Sequence, residues 1–294
     1  MSRAQERLAV IVAANDARGT VLASLARWRA EADEVVLADA SRDGTAEAAE
    51  GAFPDVRVLR APVGRLAPEL WRDGLDATEA PLVAFTTAAM VPKPGWRLAM
   101  LDRLDATGAA AVGGPIVPGI RLSATDRALF LLRYARYLPP LDPDDPLGPP
   151  GDNAVYRRAS LRGLEPVWAG GFWEVEVHRA LRARGERLAL APEASVSFLG
   201  GSRLVPALRQ RLAHARRFGA SRAGRMGTIE RLARSVASAA VPGVLLGRIG
   251  ASLRARGEGL GPWLPALPSL SLLLAVWAAG EARGLWALDD RRDL

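Results

Sequence analysis

The chain has 294 residues, 49% of them hydrophobic, and a formal charge of +7. That length suits one large domain plus an appendage, and the apolar share excludes wholesale disorder. There is no cysteine and only two histidines, His178 and His214. Disulfides, thiolate nucleophiles and multi-histidine zinc sites are therefore excluded.

Lys93 is the only lysine, so the positive charge is nearly all arginine. The arginines concentrate between Arg203 and Arg234, ahead of the most apolar part of the chain. That placement favours an anionic membrane as partner over nucleic acid. Aromatic residues among them are too sparse for a single-strand stacking platform, so no nucleic-acid partner is expected. The apolar run Leu8 to Ala14 is too short for a signal peptide, and none is expected.

Leu8 to Ala14 reads as a strand, about Thr20 to Ala30 as a helix and Asp33 to Ala38 as a second strand. The helix sets Val21, Leu25 and Trp28 at i, i+4 and i+7, one buried stripe. Such a β-α-β unit builds a parallel sheet whose ligand edge lies at the carboxyl ends of the strands. Two polar clusters sit at that edge, Asn15-Asp16 and Asp39 to Asp43, and we expect them to floor a nucleotide pocket. A strand at Val56 to Leu59, a helix at Leu66 to Ala77, a strand at Pro81 to Thr87 and a helix at Trp96 to Leu104 follow. Ala109 to Val117 reads as one strand interrupted by Gly113-Gly114. The alternation over residues 8 to 117 predicts an α/β architecture with a mainly parallel sheet. Neither a G-x-G-x-x-G nor a Walker loop is present.

Thr125 to Leu138 reads as a helix, and Pro139 to Gly151, proline-rich with Asp142, Asp144 and Asp145, as a stiff exposed loop. Gly151 to Ser160 is expected at an edge or rim of the sheet. A helix from Phe172 to Arg184 and short strands at Arg187 to Ala191 and Ser195 to Phe198 complete this part. Val205 to about Met226 is an arginine-rich helix. Of two apolar segments beyond it, Val236 to Leu246 is broken by Pro242 and short. Pro262 to Gly280 is free of charge and just long enough to cross roughly 30 Å of hydrocarbon. Trp263, Trp277 and Trp286 suit interface anchors. The plainer alternative is a helical hairpin packed on the protein.

Several stretches, in order, resemble family 2 glycosyltransferases of the GT-A fold. Val10-Ile11-Val12-Ala13-Ala14-Asn15-Asp16 is similar to the first strand, V-I-P-A-Y-N-E, with Val12 and Ala14 replacing proline and tyrosine. Asp39 to Thr45 (DASRDGT) resembles the D-D/G-G-S-x-D-G-T turn with one residue missing. Gly64-Arg65 and Arg72-Asp73-Gly74 resemble the G-K/R and R-N-x-G positions. Phe85 to Trp96 (FTTAAMVPKPGW) is similar to F-L-D-A-D-D-V-P-P-P-G-W, and Gly151 to Arg158 resembles G-x-N-x-x-Y-R-R. Trp173-Glu174-Val175-Glu176 falls where the family carries E-D-x-D, followed by Arg182, Gly185 and Pro192-Glu193. The matches span residues 8 to 198.

The resemblance implies a GT-A-type α/β fold, a mainly parallel sheet flanked by helices, with a C-terminal helical, membrane-associated appendage. The expected division is a transferase domain over 1–200, an arginine-rich helical linker over 201–227 and an apolar helical segment over 228–294. It implies transfer of a sugar from a nucleotide-sugar donor to a hydroxyl or lipid-linked acceptor at the cytoplasmic face of the cell membrane. Ala13, Asn15, Asp16, Asp39, Ser41, Arg65 and Thr87 would line the donor pocket, although Asp39 and Asp43 equally suit capping of the turn that follows them. Asp152, Asn153 and Trp173 would lie on the acceptor side, with Glu174 the base that takes the hydroxyl proton in an inverting displacement. His178 follows Glu174 at i+4, either to tune it or as an ordinary exposed helix pair.

The family's D-x-D carboxylates, which hold a divalent cation against the leaving diphosphate, are replaced by Thr87-Ala88-Ala89. No metal is therefore expected at that position. Arg65, Arg72, Arg209 and Arg211 are candidates to offset phosphate charge instead. Gln210 to His214 keeps only the glutamine of Q-x-x-R-W, which argues against a polymerising synthase. The loss of the carboxylates also supports an alternative, a catalytically silent member that binds nucleotide sugar or scaffolds a membrane complex.

Overall fold

A computed structural model describes residues 6–143, 145, 148–223 and 226–287. Asp144 of the proline-rich stretch and the last residues of the expected C-terminal segment, 288–294, lie outside them. By contact density the chain divides into two units. Met1–Arg121 with Tyr137–Gly201 form one, and Leu122–Arg136 with Ser202–Leu294 form the other.

In the first unit, β1 (Leu8–Ala14) is buried along its whole length, as a strand covered on both faces must be. It is followed by α1 (Val21–Trp28), β2 (Glu34–Asp39), α2 (Thr45–Ala52), β3 (Arg57–Arg60), α3 (Ala67–Asp76) and β4 (Leu82–Thr87). Next come β5 (Met90–Pro92), α4 (Trp96–Thr107), β6 (Ala111–Gly113) and β7 (Ile116–Pro118). The helix α5 (Ala124–Tyr134) belongs to the second unit. The first unit resumes with β8 (Ala154–Arg157), α6 (Arg158–Leu161), α7 (Glu165–Trp168), α8 (Glu174–Ala183), β9 (Leu188–Leu190) and β10 (Val196–Phe198).

Seven strands form one sheet in the order β3-β2-β1-β4-β8-β6-β9, and β5-β10-β7 form a second. In the large sheet β8 runs antiparallel to both of its neighbours and the remaining pairs are parallel. The expected mainly parallel α/β sheet is the one observed. On one face Phe85 stacks at 4.3 Å from Phe172 and 5.4 Å from Tyr156, all three fully buried. On the other, Trp28 and Trp96 meet edge to face at 4.9 Å, and the Trp28 indole donates to the Met90 carbonyl. Each such ring contributes roughly 1.5–3 kcal/mol of burial.

Three local expectations are corrected. Residues 109–117 are two strands in two sheets rather than one interrupted strand. The backbone divides at Gly114, where a Cβ would lie 2.0 Å from the Ala194 carbonyl oxygen. Gly151 to Ser160 does not return to a rim, because β8 lies inside the sheet, with Ala154 opposite both Phe85 and Gly113. The proline-rich loop is not simply exposed. Leu141 and residues 148–150 are buried, and Pro149 and Pro150 close over Gly113, where a Cβ would meet them at 2.6 and 2.7 Å.

The second unit is helical: α5, α9 (Leu204–Ala223), α10 (Thr228–Ala237), α11 (Val241–Ala255) and α12 (Leu267–Leu285). Ser123 and Asp126 form a reciprocal cap on α5, and Asp126 also accepts the Ser202 amide at 2.8 Å. The helices α9 and α12 approach closely. A Cβ at Gly284 would lie 2.2 Å from the Arg216 carbonyl, and one at Gly280 would lie 2.7 Å from the Ala215 Cβ. Pro242 does not break the first apolar segment. It sits in the opening turn of α11, where its missing N–H has no helical partner to lose. With the 3-10 turn Ser238–Ala240, Thr228–Ala255 is one helical stretch. By overall length and mean hydropathy alone, it and Gly261–Leu285 reach what a membrane crossing needs, and both suit membrane association.

Candidate functional site

Strand register brings the candidate donor residues to one edge. Ala13 pairs with Thr87 and Ala14 with Asp39, so the carboxyl ends of β2, β1 and β4 stand side by side. The Ala13 carbonyl accepts from the Ala88 amide at 3.0 Å, which fixes the turn that holds Thr87. Thr87 and Ala89 are half-buried and Ala88 is buried. Asn15 donates its side-chain amide to the Arg65 carbonyl at 3.1 Å. Asp16 is exposed and adopts φ +49°, a conformation a short polar side chain tolerates.

Asp16 and Ser41 lace the two loops together. The Ser41 hydroxyl accepts the Asp16 amide at 2.7 Å and donates to Asp39 at 2.5 Å, while an Asp16 oxygen accepts the Arg42 amide at 2.9 Å. Asp39 is 5% exposed. Burial pushes its carboxyl above the ordinary value; the Ser41 hydrogen bonds oppose this, and the Asp43 and Glu47 charges add to it. Asp43 has the opposite balance. Burial pushes it up, but the Thr45 hydroxyl and the Arg18 and Thr45 amides hold it below its usual range. Asp43 thus caps the end of the turn, and Asp39, accepting from the Ser41 hydroxyl and amide, caps its start. Arg18 also donates to the Gly44 carbonyl at 2.7 Å, a contact that no sequence motif signalled.

Arg65 and Arg72 are not free surface cations. Both bind Asp73, at 2.7 and 2.6 Å, and Arg72 also donates to the Ala169 carbonyl. Asp73 was legible only as part of a motif; its use as their shared counter-ion depends on the turns of α3. Arg211 lies in the second unit, its guanidinium 3.8 Å from the centre of the Trp277 ring.

The start of β8 brings Asp152 and Asn153, expected on the acceptor side, to the same edge, since Ala154 pairs with Phe85 near the end of β4. Asp152 is 3% exposed. Asn153 is fully buried: Trp96 donates to its oxygen at 2.7 Å, and its amide donates to the Pro115 and Ala194 carbonyls. These bonds commit its side chain to tying the two sheets together. Glu174 opens α8, half-buried, with its carboxyl carbon 3.1 Å from where a Cβ of Gly151 would stand. Its charge also raises the Tyr156 hydroxyl pKa, an effect second to that of burial. Glu174 therefore faces the loop that leads into β8. Trp173 precedes it at the cap, and its indole nitrogen would lie 3.1 Å from a Cβ at Gly171, whose φ is +135°. The bare glycine at 171 belongs to no motif, and the contact of Gly151 with Glu174 is one that its motif does not signal.

His178 is not an exposed partner of Glu174. It is buried, 2.7 Å from the Tyr156 hydroxyl, and burial, with the Arg182 charge, pushes its pKa down to about 3. This neutral pair bolts α8 to β8. A groove of about 220 Å³ lined by Leu75, Glu79, Arg158, Arg162 and Trp168, among others, lies where β4 begins. None of the site residues lines it.

Thr87 offers a neutral hydroxyl and Ala89 a methyl, which do not fit a divalent cation that seeks anionic oxygen. Among the described residues no group of three or more His, Cys, Asp or Glu is placed to hold a metal ion.

The mainly parallel α/β sheet, with Asn15, Asp16 and Asp39 following the carboxyl ends of β1 and β2, suits a GT-A-type fold. The sequence profile described as Glycosyl transferase family 2 matches residues 10–164, and the chain belongs to that family. Among solved structures it is similar to the mannosyltransferase PcManGT from Pyrobaculum calidifontis, in complex with GDP-Man and Mn2+. The TM-score is 0.52 at 18% identity, covering 94% of this chain and 86% of that one. At that identity the likeness speaks for the fold. No curated protein matches the chain.

Proposed function

We propose that this chain transfers a sugar from a nucleotide-sugar donor to a hydroxyl or lipid-linked acceptor at the cytoplasmic face of the cell membrane. The observation that supports the proposal is the strand register that sets Asp39 and Thr87 beside the end of β1, where Asn15 follows, with Glu174 against Gly151 in the loop that enters β8. In this reading Ala13, Asn15, Asp16, Asp39 and Ser41 hold the nucleoside, with Asp39 accepting hydrogen bonds from base or ribose. Arg65, oriented by Asp73, offsets charge on the diphosphate. The acceptor oxygen attacks the anomeric carbon as the bond to the diphosphate oxygen breaks, and Glu174 takes the acceptor proton. Asp152 and Trp173 border the acceptor, while Asn153 positions the loop from within. The arginine-rich charge bias favours the cytoplasmic side.

A second reading, a catalytically silent member that binds the donor or scaffolds a membrane complex, is favoured by one observation, the loss of both D-x-D carboxylates. Calorimetric titration with UDP- and GDP-sugars, with and without manganese, followed by a turnover assay, separates the two. We expect metal-independent binding and slow transfer. Glu174→Gln should lower turnover by about 10²–10⁴-fold with donor affinity unchanged. Binding without transfer or hydrolysis in the unaltered protein would establish the silent reading.

A further inference from the structure

Within the second unit, α10 and α11 present an apolar surface that its own helices leave uncovered. Ile229, Leu232 and Val236 stand at i, i+3 and i+7 and are 86, 58 and 70% exposed. Val244 and Leu246 continue the exposed surface into α11. From Ser235 to Gly247 no residue is charged, and Arg234 and Arg248 close the two ends. We propose that this run beds lengthwise in one leaflet of an anionic bilayer, so that the second unit lies in the membrane interface and does not span it. The inference rests on the membrane-associated part of the proposed function.

Length decides between lying and crossing. Thirteen helical residues extend about 20 Å, short of the roughly 30 Å of hydrocarbon. Lengthening the run to twenty residues takes in at least two charged residues, whichever end is extended. Arg231 cannot swing away to the interface freely, because its guanidinium is tied to the Met226 and Ala223 carbonyls. An in-plane helix meets none of these costs, since its apolar side faces the acyl chains and its arginines stay at the headgroups.

The longer charge-free run, Gly259–Gly280, has enough length but the wrong neighbours. Arg127 of α5 donates to the Pro262 carbonyl near its start, and Arg211 of α9 lies over Trp277 near its end. Crossing the bilayer would draw both guanidinium groups toward hydrocarbon. Close packing at Gly280 and Gly284 fixes α12 to α9, a helix that carries five arginines. The occupant of the exposed surface is set by charge: residues 202–294 hold 15 arginines against six acidic residues. Anionic phospholipid matches both the apolar run and its arginine flanks.

The absence of cysteine makes the topology directly readable. Thr228→Cys and Ala255→Cys place one thiol at each exposed end of the helical stretch in the full chain. In sealed inside-out vesicles from expressing bacteria, a membrane-impermeant maleimide should label both thiols equally before detergent is added. Labelling of only one until detergent opens the vesicle would mean that the helix spans, and the proposal falls. With synthetic vesicles, the purified chain should sediment with phosphatidylglycerol-containing vesicles at least tenfold better than with neutral ones. Val236→Asp with Val244→Asp should abolish that preference while circular dichroism and donor binding stay unchanged. Equal binding to neutral vesicles, or none to either, would also overturn it. These measurements do not read turnover. An inactive protein lying in one leaflet leaves the inference standing, and an active protein labelled at one end sinks it.

Discussion

The first unit carries 21 basic and 25 acidic side chains, whereas the second carries 18 arginines and seven acidic ones. Apolar exposure divides the same way. Of 18 exposed large hydrophobic side chains among the described residues, 12 lie beyond residue 201. The first unit hides its apolar surface in a sheet covered on both faces and answers most of its charges locally, as Arg65 and Arg72 do through Asp73. The second buries one side of its helices and leaves the other apolar and ringed by arginine. On the proposed reading, the difference teaches that water is the right solvent for one unit and only part of the solvent for the other. A chain whose chemistry lies at a sheet edge need not keep its affinity for a surface in the same place.

The comparison predicts that damage will be read differently in the two units. The largest effect should come from Asn153→Ala, which leaves the Trp96 indole and the Pro115 and Ala194 carbonyls without their present partner. With each buried orphan costing about 1–3 kcal/mol, we expect a loss on the order of 3 kcal/mol or more, read as a lowered urea midpoint of the sheet unit. An unchanged midpoint would mean that water replaces the amide and that the two sheets are not tied through it.

Smaller, matched insults sharpen the contrast. A Cβ at Gly74 would meet the Ile11 side chain at 2.2 Å, and one at Gly284 would meet the Arg216 backbone at the same distance. Overpacking of this kind typically costs about 1–3 kcal/mol. Gly74→Ala should lower the stability of the sheet unit and weaken donor binding. Gly284→Ala should instead reduce vesicle sedimentation while sparing donor affinity. If both variants lose donor binding equally, the units do not behave as separate bodies and the comparison is broken.

Much of the first unit was legible because its elements are decided locally. An uninterrupted apolar run such as Leu8 to Ala14 can only be a buried strand or a buried helix, and its brevity between polar residues selects the strand. Acidic residues at the ends of such runs then mark the ligand edge. β8 was misplaced for the opposite reason. Four residues with one aromatic carry too little pattern to distinguish an edge from an interior strand, and the pairing of Ala154 with two partners is a long-range property. Pro242 misled because the same residue breaks a helix interior and opens a first turn, and the choice depends on where the preceding turn ends. Glu174 and Gly151 each belong to a motif, but their contact is a long-range property that neither motif signals. Neither reading of His178, tuning Glu174 or pairing with it at the surface, includes the Tyr156 hydroxyl opposite, because i+4 spacing says nothing of it.

That histidine supplies the smallest effect and a further way to separate the units. Each unit holds one, His178 buried in the first and His214 half-buried in the second, and burial, with nearby arginine charges, pushes both down to about 3. In the unfolded chain a histidine binds its proton near pH 6.5. Between pH 6.5 and about 3 the unfolded form therefore holds a proton that the folded form does not, and stability falls as pH drops through that window. The raised Asp39 acts with the opposite sign. Its folded form keeps a proton to higher pH than the unfolded one, so its contribution to stability declines as pH rises above 3.8 toward its shifted value. Asp39 is the same in the parent and in a His178 variant, so comparing the two between pH 7.5 and 5.5 isolates the histidine. His178→Gln keeps a hydrogen-bonding group beside Tyr156 and removes the titration. Denaturant unfolding at the two pH values should show the sheet unit of the unaltered chain losing about 1 kcal/mol at pH 5.5, with the loss absent in His178→Gln. The helical unit should keep its own acid sensitivity in that variant. A variant that stays as acid-sensitive as the parent would show that His178 titrates near its ordinary value, and hence that the Tyr156 pair is open to water.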